Sequence, residues 1–81
     1  MSIALMQRTV PSQFETRWLN ETAFEIVNRR GRAIAKVSED TWDHKVGIEK
    51  PCGNLGAVKR VWTGWSKNWD PRDWGSVLYR A

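Results

Sequence analysis

Between residues 55 and 69 the apolar positions recur at intervals of three and four: Leu55, Val58, Trp62, Trp65 and Trp69, with Val61 widening the stripe. At about 3.6 residues per turn these fall on one face of a helix. Lys59, Arg60, Ser66 and Lys67 fall elsewhere and would meet water. The spacing predicts a tryptophan-rich helix over 55–69, with Asn54 as its cap. Thr63 and Gly64 are its weak points, since Gly costs about 1 kcal/mol against Ala in a helix. Read with a period of two, the stretch puts Val61, Thr63 and Trp65 on one face of a strand. Five apolar positions obey the helical spacing, and the helix is the reading adopted.

Other stretches follow the period of a strand. Residues 23–37 hold two short β-prone runs, AFEIVN and RAIAKV, either side of Arg29, Arg30 and Gly31. That corner suits a type I turn with Gly in the left-handed position, so a hairpin is predicted. Phe24 and Ile26 share a face, and Ile34 pairs with them across the ladder. Ser38, Glu39 and Asp40 read as a turn, and 41–48 either as a third strand with Trp42, His44 and Val46 on one side or as an irregular turn anchored by Trp42, the strand being the reading adopted. Residues 76–80 have the composition of a C-terminal strand.

Near the start, Ser12 and Glu15 have the form of a capping box, which predicts a short helix over 13–19 carrying Phe14, Trp18 and Leu19. Residues 1–10 alternate loosely, as an edge strand or a loose tail, and Pro11 ends them. Pro51, Gly53 and Gly56 mark a loop. Asp70 and Pro71 open a turn after which Trp74 tucks back. The expected fold is α+β: one small domain over 1–81, an antiparallel sheet packed by the 55–69 helix and the shorter helix.

Composition adds one strong feature. Six tryptophans in 81 residues are more than so short a chain readily buries, since each covers roughly 150–250 Å². At least one or two are expected at the surface, where tryptophan marks binding hot spots. The net charge is +4, which favours anionic partners or simply solubility. A lone cysteine, Cys52, fits a reducing compartment. No signal peptide or membrane span is read from the chain, so a cytoplasmic protein is expected.

No catalytic constellation is legible. His44 is the only histidine, and Asp43 beside it would point to the opposite face of a strand. One Cys and one His do not make a zinc site. Asp70 and Asp73 read as capping groups. Gly53 to Gly56 lacks the Gly-Lys-Ser/Thr ending of a phosphate loop. No enzyme, cofactor or metal is expected. The candidate binding residues are Arg29, Arg30 and Arg32 at the hairpin tip, and Lys59, Arg60, Trp65, Lys67 and Trp69 in the tryptophan-rich stretch.

Two functions compete. One is a protein-binding module whose partner is a larger host protein or nucleoprotein complex, gripped by surplus Trp and Arg. In size, charge and lack of motif the chain resembles the small proteins that phages and mobile elements use against host machinery, anti-CRISPR proteins among them. The resemblance is one of style and aligns no residue. It implies an inhibitor of a host nucleic-acid-handling complex. The other function is direct nucleic-acid binding, with Arg29, Arg30 and Arg32 clamping phosphates and indoles offering stacking platforms.

Overall fold

The computed structural model describes residues 2–53 and 56–79. These form a five-stranded antiparallel sheet in sequential order: β1 (Glu15–Asn20), β2 (Ala23–Val27), β3 (Ala33–Asp40), β4 (Lys45–Pro51) and β5 (Val58–Trp65). Two short helices flank it, α1 (Ile3–Arg8) and α2 (Trp74–Tyr79). The radius of gyration is 11.9 Å, against about 11.7 Å expected for a compact chain of this length. The described residues therefore make one compact body.

One face of the sheet builds the core. Phe24 and Ile26 of β2 pair with Val37 and Ala35 of β3, and Val37 pairs with Ile48 of β4. All are buried, as is Val46. The covering layer comes from the two ends of the chain: Ile3 and Met6 of α1, then Trp69, Trp74, Val77 and Leu78. Trp62, Trp69 and Trp74 stack edge to face, with ring centroids 4.8 and 4.6 Å apart. Trp74 Nε1 donates to Thr9 Oγ1 at 2.7 Å and so ties α2 to the end of α1.

The predicted hairpin over 23–37 is present as β2 and β3. Its turn is built as its sequence demands. Asn28 Oδ1 accepts the N–H groups of Arg30 and Arg32 at 3.0 Å each, and Gly31 takes the left-handed conformation at φ 77°. The third strand lies later than predicted, at Lys45–Pro51, because residues 41–44 form the turn. Gly53 and Gly56 take positive φ, as breakers between strands do.

Four elements differ from expectation. The stretch predicted as a tryptophan-rich helix is strand β5, and only Ser66–Asn68 winds into a single 3-10 turn. Leu55 and the cap Asn54 lie outside the described residues. The apparent helical stripe is a coincidence of two structures. Trp62 faces the core opposite Ile48, Val58 and Trp65 pair with Pro51 and Lys45, and Trp69 follows the strand. Pairing with β4 supplies a backbone ladder broken by one bulge at Val61, and β-branched Val58 and Thr63 suit it. Gly64 also acquires a reason. A Cβ there would stand 2.9 Å from Trp62 Cζ2, so the glycine makes room for the indole lying along the strand.

The short helix predicted over 13–19 is instead β1, with Thr16 and Trp18 opposite Ile26 and Phe24. Two helical turns are marginal alone, whereas β1 gains a ladder and an edge contact between Trp18 and Phe24 at 5.2 Å. The predicted C-terminal strand is helix α2 over its described part, Arg80 lying outside. Asp70 caps the 3-10 turn Pro71–Asp73 by accepting from Arg72 N. Trp74, Val77 and Leu78 then share one buried helical face. The first residues form α1, its Ser2 hydroxyl accepting from Leu5 N.

Candidate functional site

The turn between β3 and β4 carries the most exposed large hydrophobic side chain among the described residues. Trp42 is 94% exposed. Its backbone is nonetheless held. Asp40 Oδ1 accepts Trp42 N–H at 2.9 Å, and Asp40 O accepts His44 N–H at 2.8 Å. Asp43 Oδ1 accepts Lys45 N–H at 3.1 Å. His44 closes the turn at φ 59°, a conformation that few side chains adopt. The two aspartates act as Asx groups that fix a tight corner, and the corner aims an indole into solvent.

The neighbouring end of β5 joins this corner. His44 O accepts Ser66 N–H at 3.2 Å. Trp65 is paired with Lys45 and is 43% exposed. Lys67 Nζ lies 6.0 Å from the Trp65 ring centroid, within cation–π range. A notch of about 370 Å³ opens between them, lined by Ser2, Asp43, His44, Trp65, Ser66 and Lys67. Glu39 stands behind it, one carboxylate oxygen buried and 3.9 Å from His44 Nδ1. The depression offers the exposed rings of Trp65 and His44, a cation and hydrogen-bonding groups, with Trp42 on the adjoining corner.

The sequence-predicted binding residues fall into separate places. Arg29, Arg30 and Arg32 are exposed at the opposite end of the sheet from Trp42. Arg29 and Arg30 share a shallow depression there with Phe14 and Tyr79, whose rings are 5.7 Å apart. Lys59 and Arg60 are exposed on the first half of β5, and Arg60 Nη2 reaches Glu49 Oε1 at 3.3 Å. Trp65 and Lys67 belong to the notch. Trp69 is not available for binding in this fold. It is only 4% exposed, because the chain turns inward after the 3-10 segment and seats it between Trp62 and Trp74.

Sequence reasoning missed Trp42 as a binding residue. The signal was the pair Asp40 and Asp43 bracketing it, which marks a turn rather than a strand. Cys52 is exposed. Among the described residues no group of three or more His, Cys, Asp or Glu is placed to hold a metal ion, and no helix is long and apolar enough to cross a membrane. No family model matches this chain, and no curated protein or solved structure matches it.

Proposed function

We propose that the protein is a small non-enzymatic binding module that grips a larger protein with the Trp42 end of its sheet. Its class is that of the phage and mobile-element inhibitors of host nucleic-acid-handling complexes. One observation supports this above the others: a tryptophan almost wholly exposed on a corner that three hydrogen bonds hold. An indole normally hides. Burying roughly 150–250 Å² of ring at about 25 cal/mol per Å² is worth about 4–6 kcal/mol before ordering costs. A turn already fixed leaves little ordering to be done at the moment of binding.

The test uses the protein as bait in a nuclease-treated lysate. A partner retained after nuclease and lost with Trp42→Ala supports the reading, because truncating a hot-spot tryptophan costs about 2 kcal/mol or more, about 30-fold in affinity. A partner that disappears with nuclease and survives Trp42→Ala contradicts it. The cluster of Arg29 and Arg30 beside Phe14 and Tyr79 favours a second reading, single-stranded nucleic acid stacked and clamped there. That reading requires affinity to fall steeply with salt and to vanish when Arg29, Arg30 and Arg32 become alanine.

A further inference from the structure

We propose that the free edge of β5 is a second docking site, and that it takes an acidic, extended segment of a partner protein as a sixth strand. Among the described residues no strand pairs with this edge. Its backbone groups are the ready donors and acceptors that strand addition uses.

Two further observations say what the sixth strand looks like. The first is a row of charges across the open face of the sheet. Arg17, Glu25, Lys36, Glu49 and Arg60 are successive cross-strand partners, so the signs alternate from β1 to β5. Arg17–Glu25 at 3.0 Å and Arg60–Glu49 at 3.3 Å are ion pairs. The row ends on Arg60, and the position across from it on an added strand continues the pattern with a carboxylate. Lys59 beside it points to the other face and lines the groove there. Opposite charges directly across a ladder stabilise it, and like charges weaken it.

The second observation is a groove on the other face of the same edge. It holds about 620 Å³ between the first half of β5 and α2. Val61, Trp62 and Val77 form its apolar wall, and Lys50 and Lys59 outnumber its one carboxylate, Asp73. Alternate side chains of an incoming strand point to opposite faces. One set therefore enters this groove as apolar groups while the other set meets Arg60. β1, the strand at the other edge, differs: it pairs its Arg17 with Glu25 and is packed on its core face by α1, whose Gln7 hydrogen-bonds Thr16. A second copy pairing β5 to β5 would bring two sets of Lys59 and Arg60 into one short ladder.

The probe is an acetylated, amidated octapeptide alternating valine and glutamate, titrated into the 81-residue chain and followed by amide NMR. Binding should shift residues 58–65 and α2, and slow hydrogen exchange at alternate amides of β5. The octapeptide N-methylated at alternate residues, which cannot complete the ladder, should not bind. The double variant Lys59→Glu, Arg60→Glu, its fold checked by circular dichroism, should bind at least about tenfold more weakly. Trp42→Ala should leave the titration unchanged, so this site and the Trp42 surface stand or fall separately. Equal binding of a valine–lysine octapeptide, retained binding of the N-methylated one, or no shift at millimolar peptide would each overturn the proposal.

Discussion

Trp74 and Thr9 offer the sharpest test of how the ends of the chain hold the sheet. Trp74 is 1% exposed, stacks on Trp69, and donates its indole N–H to the Thr9 hydroxyl. That hydroxyl in turn donates to Met6 O at 2.7 Å. Trp74→Phe removes the hydrogen bond and part of a buried ring, which together cost about 2–3 kcal/mol. Thr9→Val keeps the shape but strands the indole N–H in the core, at about 1–3 kcal/mol. Met6 O still accepts Thr9 N–H at 3.0 Å, so little else is lost. In the double variant nothing is left unpaired. Its loss should fall short of the sum of the singles by about 1 kcal/mol. A domain of this size has roughly 4–12 kcal/mol in total. Trp74→Phe should therefore lower Tm by about 10–20 °C. Urea denaturation followed by far-UV circular dichroism measures all four proteins without relying on the altered fluorescence. A Thr9→Val variant as stable as the parent, with strictly additive losses, would refute the claim that this bond fastens α2 to α1.

Other consequences are quicker to check. Gly64→Ala should destabilise by about 1–3 kcal/mol, because the new methyl collides with the Trp62 ring; thermal melting reads it. His44→Gly should raise stability by about 0.5–1 kcal/mol by relieving a left-handed backbone, and a higher Tm is the sign. Trp42→Ala should leave stability within about 0.5 kcal/mol of the parent, since the ring covers almost nothing. Acid should loosen the C-terminal segment through Asp70. The hydrogen bond from the Arg72 guanidinium, with that from Arg72 N, holds this carboxyl below its ordinary value of 3.8. A lowered value means that the folded state prefers the anion. The contribution is thus complete above the ordinary value and is lost as pH falls through the lower, folded one. Asp70→Asn should remove that part of the acid dependence when unfolding is measured between about pH 5 and 2.

Local chemistry was legible where a residue type has one main use. Asn28 with Gly31 announced the hairpin turn, and Asp70 with Pro71 announced the capped corner before Trp74. The period of the apolar residues misled where it was read without the partner strand. Residues 55–69 satisfy a helical spacing, yet the sheet needs a fifth strand to cover β4, and Trp62 finds its place in the core only as part of it. The capping box at Ser12 and Glu15 had the same defect. It describes how a helix would start, while pairing with β2 decides that none does. The binding residues were legible as types but not as neighbours. Surplus tryptophan pointed to surface indoles, but only the turn between β3 and β4 shows that Trp42 is the most exposed of them, and only the 3-10 segment after β5 shows that Trp69 is buried.

The recognition surface proposed for this molecule depends on the contrast between those two rings. Solvent paramagnetic relaxation, resolved at the six indole N–H signals of the free protein, measures it directly. Trp42 should show the strongest enhancement and the fastest exchange, while Trp69 and Trp74 remain protected. A Trp42 signal as shielded as those of the buried pair would contradict the recognition surface proposed for this end of the sheet.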